Sequence, residues 1–145
     1  MLLFSSELEL TKNNSCKMNK LIIDAAKDKV FLMIIDNDDN YNMSIENSKN
    51  NYEKLAQIIN DFLRMKNLKI SDVNQIYINQ GPGSFAGIRN SLSVVKAFHL
   101  VNKIDYYCFS FTDFVDENEI KYENIPELCK KFKIKKNLIN PIYLS

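Results

Sequence analysis

Between Lys20 and Ile45 short apolar runs alternate with polar breaks. Leu21-Ile22-Ile23-Asp24-Ala25 is followed by Val30-Phe31-Leu32-Met33-Ile34-Ile35 and then by Tyr41-Asn42-Met43-Ser44-Ile45. The breaks, Lys27-Asp28 and Asn37-Asp38-Asp39-Asn40, are turn formers. Three strands joined this tightly form an antiparallel meander, because parallel neighbours need a long crossover. The period then changes. Tyr52, Leu55, Ile58, Ile59 and Phe62 recur at three- and four-residue spacing and predict a helix over Asn50–Lys66 that buries one face against a sheet. A short strand, Gln75–Asn79, comes next, then a second helix over Phe85–Asn102 and a last strand over Ile104–Ser110. The order β-β-β-α-β-α-β, with two helical crossovers, predicts the α/β class and a mixed five-stranded sheet whose later strands run parallel.

The chain has three glycines, and all of them lie where the fourth strand hands over to the second helix, in Gly81-Pro82-Gly83-Ser84-Phe85-Ala86-Gly87-Ile88-Arg89. Glycine is retained where the backbone must take φ > 0 or approach another group closely. A loop that opens a helix also carries free N–H groups and partial positive charge, so Gly81, Gly83, Ser84 and Gly87 are candidates for an anion-binding cradle. The other reading is a tight turn with Ser84 as helix N-cap. No Gly-Lys-Ser/Thr follows, which excludes a Walker A loop, and the preceding strand is not the first of the fold, which excludes the dinucleotide fingerprint.

That nine-residue stretch, with Ser91-Leu92 and Lys96-Ala97 behind it, resembles the GPGSFTGxRxGLxxAKG signature of the TsaB (YeaZ) family. Leu21-Ile22-Ile23-Asp24 is similar to that family's opening LAIDT strand, and Asn140-Pro141-Ile142-Tyr143-Leu144 to its closing PxYLR. The order of elements matches one half of an actin-like ATPase (ribonuclease H-like) fold. The resemblance implies a non-catalytic scaffold subunit in the cytoplasmic machinery that makes threonylcarbamoyladenosine beside the tRNA anticodon. Its implied partners are a TsaD-like carbamoyltransferase, in a heterodimer, and a TsaE-like ATPase in a larger complex. tRNA would be met only indirectly, and the chain alone could form a homodimer. No cofactor is implied. This chain departs from the family at Ala86 and Asn90, where Thr and Gly are usual, at Ala25-Ala26, where Thr-Ser is usual, and at Asn50-Asn51-Tyr52, where a His is familiar. A reduced or diverged member is expected, with 1–17 as an extension before Met18, 18–116 as the actin-like half, and 117–145 as a short tail in place of most of a second half.

The second helix carries more apolar surface than one face needs. Ile88, Leu92, Val95 and His99 form one stripe and Val94, Phe98 and Val101 another, with the small residues Ala86, Asn90, Ser93 and Ala97 between. A helix on a sheet needs one apolar face. The expected partner surface is therefore Phe85, Ile88, Arg89, Leu92, Val95 and Phe98, although packing under the chain's own first helix or tail would use the same residues. Arg89 would either meet the partner or brace the loop through an ion pair.

Composition sets the remaining limits. The 145 residues fit one domain, and nineteen Lys+Arg against eighteen Asp+Glu leave a net charge of +1, too little to attract nucleic acid or membrane globally. Cys16, Cys108 and Cys129 are widely spaced, without a CxxC pair, so neither a disulfide framework nor a structural zinc site is expected. Cys108, inside Tyr106-Tyr107-Cys108-Phe109, reads as a buried, inert thiol. His99 is the single histidine, too few for a zinc peptidase site. The start, Met1-Leu2-Leu3-Phe4, is too short for a signal-peptide core. Lys130, Lys131, Lys133, Lys135 and Lys136 could touch tRNA phosphates but form a solvated run more simply, offset by Asp116, Glu117, Glu119 and Glu123. Two other classes stand beside the scaffold reading. One is a small phosphate- or nucleotide-binding enzyme built on the Gly81–Gly87 loop and Asp24, which the lack of glycine elsewhere disfavours. The other is a homodimer with an unrelated partner.

Overall fold

β1 (Asn19–Asp24), β2 (Lys29–Asp36) and β3 (Asp39–Glu46) form the antiparallel meander in the computed structural model, which describes residues 18–37 and 39–144. Residues 1–17 lie outside the described residues. β4 (Gln75–Asn79) runs parallel to β1, and β6 (Asp105–Phe109) runs parallel to β4, while β5 (Gly83–Ser84) is a two-residue strand outside this sheet. The order is β3-β2-β1-β4-β6, the mixed five-stranded sheet expected from the crossovers.

Side chains alternate across these strands, and the two sets bury against different layers. Leu21 and Ile23, Ile76 and Ile78, and Tyr106 and Cys108 face one core. Over them lie α1 (Lys49–Glu53), α2 (Leu55–Arg64) and α3 (Phe85–Asn102). The single helix expected over Asn50–Lys66 is broken at Lys54, whose φ and ψ are −106° and 14°. The apolar spacing runs through the break because Tyr52, Leu55 and Ile59 stay on one face, so periodicity does not reveal it. Local bonds fix the start of α1 instead: Ser48 caps it by accepting from the Asn51 amide, and the Asn51 side chain donates to the Glu46 carbonyl.

The opposite face of the sheet carries Ile22, Met33, Tyr77 and Phe109, and residues after β6 cover it. Two short 3₁₀ turns, Phe111–Asp113 and Tyr122–Asn124, lead to α4 (Ile125–Lys131). Phe114, Ile125, Leu128 and Cys129 close this second core. Pro126 fits because the first turn of a helix has no use for its missing N–H. The tail then caps the edge of β6: the Asn137 amide donates to the Tyr106 carbonyl (2.7 Å), and the Tyr106 amide donates to Asn137 Oδ1 (3.0 Å). Finally β7 (Tyr143–Leu144) pairs in parallel with β5. Among the described residues no helix is long and apolar enough to cross a membrane.

Ile125 is fully buried in the second core. Ile125→Ala should lower the unfolding free energy by about 2–5 kcal/mol, the cost of a cavity in packed apolar surroundings. Urea titration measures it, and a loss under half a kilocalorie would mean that the tail is not part of the cooperative core.

Candidate functional site

The glycine loop sits at the C-terminal end of β4, and the chain's own carbonyl groups press into it. Gly81 has φ of +117°, open only to glycine without strain, and a Cβ there would lie 2.0 Å from the Ile142 oxygen. The Gly81–Pro82 peptide is cis. At Gly87, inside the first turn of α3, a Cβ would lie 2.0 Å from the Ala25 oxygen. A Cβ at Gly83 would lie 2.3 Å from the Ala26 oxygen, which accepts from the Ser84 amide at 2.9 Å. The glycines therefore let the β1–β2 turn and the C-terminal strap reach the root of α3.

This corrects the anion-cradle expectation for Gly81, Gly83, Ser84 and Gly87. Three of their amides are already committed: that of Ser84 to the Ala26 carbonyl, that of Gly81 to Asn79 Oδ1 (2.9 Å), and that of Gly87 to Ser84 Oγ (3.3 Å), which makes Ser84 the N-cap. Three carbonyl oxygens, each with partial negative charge, lie where side chains on these glycines would be, and so disfavour an anion beside them. The strap is fixed by the Ile142 amide donating to the Gln80 carbonyl (2.8 Å) and the Asn140 amide donating to Gln80 Oε1 (2.9 Å).

Asp24 ends β1 and is 1% exposed. Its Oδ1 accepts from the Ala26 amide (3.1 Å) and from Asn79 Nδ2 (3.2 Å), and its Oδ2 accepts from the Tyr122 hydroxyl (2.6 Å). The Tyr122 ring stacks on Phe31 with centroids 4.0 Å apart. Burial, and then the Asp24 charge and hydrogen bond, push the Tyr122 phenol above its ordinary value. A hollow of about 400 Å³ beside this cluster is bordered by Lys27, Lys29, Ser44 and Tyr122. Tyr122 and Asn79 complete the cluster, and neither stood out in the sequence. The available signals were a lone aromatic in a charged tail segment and an Asn two residues before Gly81.

On α3 the structure divides the expected partner residues. Ile88, Leu92, Val95 and Phe98 are buried in the chain's own core, so these four are corrected from partner surface to core. The physical reason is that one helix face had to seal β1, β4 and β6, and Phe98 of the second stripe joins Ile88, Leu92 and Val95 of the first on that face. The outward side carries Phe85, Arg89, Ser93, Lys96, Ala97, Leu100 and Val101, with Leu100 62% and Val101 77% exposed. Tyr143 of the strap packs on Phe85 (centroids 4.7 Å apart), and the Arg89 guanidinium stands 5.9 Å from that ring. Arg89 has no ion pair among the described residues.

The other candidates are structural. His99 Nδ1 lies 2.9 Å from the Ile104 carbonyl oxygen, and its ring meets Tyr106 edge-on. Burial pushes the Cys108 thiol up to about 12, and the Cys129 thiol likewise, which keeps both protonated and unreactive at neutral pH. Cys16 lies outside the described residues. In the tail, Lys131 pairs with Glu117 (2.8 Å) and Lys136 with Asp105 (3.5 Å). Hydrogen bonding from Asn137, more than the Lys136 charge, lowers the Asp105 pKa.

The family model described as TsaD, tRNA N6-adenosine threonylcarbamoyltransferase, matches residues 45–129, well over half of the chain. The chain belongs to that family. Two solved structures share its fold: YeaZ from Pseudomonas aeruginosa, and an uncharacterized protein with similarity to peptidase YEAZ from Pseudomonas aeruginosa. Each is 18% identical with a TM-score of 0.59 over 64% of this chain, covering 44% and 43% of the respective structures. The chain thus spans less than half the length of the solved structures it matches. A comparison with curated proteins finds no match. This TsaD-family member therefore has the TsaB (YeaZ)-like, actin-like α/β fold expected from its glycine loop and element order.

Two substitutions test the site. In a helix, Gly→Ala ordinarily gains about 1 kcal/mol. Gly87→Ala should instead destabilise, because the Ala25 carbonyl leaves no room; a rise in Tm would refute the close approach. Tyr122→Phe should cost about 1–3 kcal/mol by leaving buried Asp24 without one of its three donors, and an unchanged denaturation midpoint would show that the bond contributes nothing.

Proposed function

We propose that this chain is a non-catalytic subunit supporting tRNA threonylcarbamoyladenosine synthesis, pairing through the outer face of α3 with a TsaD-like carbamoyltransferase. The observation that carries the link to threonylcarbamoyladenosine synthesis is the family match over residues 45–129, which spans the glycine loop and the whole of α3; the non-catalytic part rests on the loop and Asp24. The geometry supports a structural use of the loop. A catalytic actin-like site needs open glycine loops for phosphate and free carboxylates for magnesium. Here the loop is filled by the carbonyls of Ala25, Ala26 and Ile142, and Asp24 is bound by its own chain. Both features support the scaffold reading over the nucleotide-binding enzyme.

The partner face is Phe85, Arg89, Leu100 and Val101, with the small residues Ser93 and Ala97 between them. Small residues in the middle of a helix face let a second helix approach closely, and flanking apolar side chains supply the area to bury. Tyr143 extends this face onto the strap. A TsaE-like ATPase would join the assembled pair, and tRNA would be engaged through the carbamoyltransferase, in the cytoplasm.

The test is co-expression with the TsaD of the same genome, followed by co-purification of wild type, Leu100→Asp and Arg89→Glu. Wild type should hold the partner. Leu100→Asp should weaken the complex by about tenfold or more, since a charge is brought into an apolar contact, with Tm unchanged. Phe98→Asp would be a poor probe, because Phe98 is core and its loss unfolds the chain. No complex with wild type would sink the reading, and size-exclusion chromatography of the protein alone shows whether the same face closes a homodimer.

A further inference from the structure

One edge of the five-stranded sheet is covered and the other is open. At the covered edge the tail bonds to β6 through Asn137. At the open edge β3 is the terminal strand, paired only with β2. Its register with β2 runs without a bulge, and Asn40–Ile45 holds no Lys, Pro or other charged residue. Exposed edge strands ordinarily carry one of these devices, because their unpaired backbone templates a further strand.

Along β3 the backbone groups point alternately toward β2 and away from it. The Asn47 amide donates to the Asp28 carbonyl (3.2 Å), so odd-numbered residues bond toward β2 and even-numbered ones point outward. Glu46 agrees with this phase, its carbonyl accepting from the Asn51 side chain. The outward N–H and C=O groups of Asn40, Asn42 and Ser44 have no partner among the described residues, and all three residues are exposed. This free row is symmetric about Asn42, bounded by the satisfied Glu46 carbonyl at one end and by the β2–β3 turn at the other. The strand is anchored from the helix side, where Tyr41 and Met43 pack on the first core and the Tyr41 ring stacks on Phe62 (centroids 5.4 Å apart). After β3 the chain turns back over that face, and α1 meets α3.

We propose that this edge pairs with the β3 edge of a second copy, antiparallel and about a two-fold axis at Asn42, joining two sheets into one. In that register Asn42 faces Asn42 of the second copy and Asn40 faces Ser44 of the second copy, so each free N–H of one row meets a free C=O of the other. A two-fold axis at Met43 would instead need the Glu46 carbonyl that Asn51 already holds. The edge is separate from the outer face of α3, so its failure leaves the subunit reading standing.

Sedimentation equilibrium of the full chain alone, up to about 1 mM, tests it. Wild type should dimerise. Asn42→Lys and Asn42→Glu should each weaken the dimer about tenfold or more, because like charges then face each other across the axis, with Tm unchanged since the side chain is exposed. Mixed in equal amounts, the two variants should associate more tightly than either does alone, which an interface away from Asn42 would not reproduce. Leu100→Asp should leave the dimer intact. Hydrogen exchange at the Asn40, Asn42 and Ser44 amides should slow as protein concentration rises. A wild type still monomeric at about 1 mM, a dimer that survives both charge variants or is lost with Leu100→Asp, no gain on mixing, or edge-amide exchange independent of concentration would each overturn the proposal.

Discussion

Everything else in the fold hangs on the approach of the β1–β2 turn to the root of α3. The carbonyls of Ala25 and Ala26 come so near Gly87 and Gly83 that any side chain there would collide with backbone. The contact sets the depth at which α3 docks, and through Ile88, Leu92 and Val95 it sets how the helix seals the parallel strands. The Ile142 carbonyl makes the same kind of approach to Gly81, so the chain end is held at the same junction. A loop that reads as a phosphate cradle is here a joint between three pieces of backbone.

Asp24 makes that joint rigid. A carboxyl group buried to this degree is costly unless its oxygens are met by donors. Here the donors come from three segments: the Ala26 amide of the same turn, the Asn79 side chain at the end of β4, and the Tyr122 hydroxyl of the tail. The tail also supplies Phe114, Ile125 and Leu128 to the second core. The sheet is thus buried on both faces, which is what its parallel β1-β4-β6 portion requires.

The same economy shapes α3. A helix of eighteen residues offers one stripe to the sheet and one outward, and the outward one mixes Leu100 and Val101 with Ala97, Ser93 and Arg89. The aromatic pair Phe85 and Tyr143 continues that surface from the helix onto the strap. The glycine joint therefore positions both the core and the face that meets the proposed partner, which gives a reason for a chain with three glycines to spend all of them there.

The class of fold was legible along the chain. Apolar runs separated by breaks of two and four residues permit only a meander, and crossovers of helical period permit only parallel strands beyond it; both are short-range properties of the chain. Where the special backbone lies was legible too, because glycine is the residue whose absence of a side chain is itself the signal. What the glycines make room for was not legible, since Ala25, Ala26 and Ile142 are distant in sequence and act through carbonyl oxygens that every residue possesses. Nor could periodicity tell how the second apolar stripe of α3 divides: Phe98 and Val101 look alike along the chain, and only the position of the sheet buries the first and leaves the second 77% exposed. The break at Lys54 was hidden for the same reason, as the apolar face continues across it. Tyr122 found Asp24 across ninety-eight residues, a pairing that only tertiary structure decides, because a hydrogen bond carries no trace in sequence until the fold brings its two ends together.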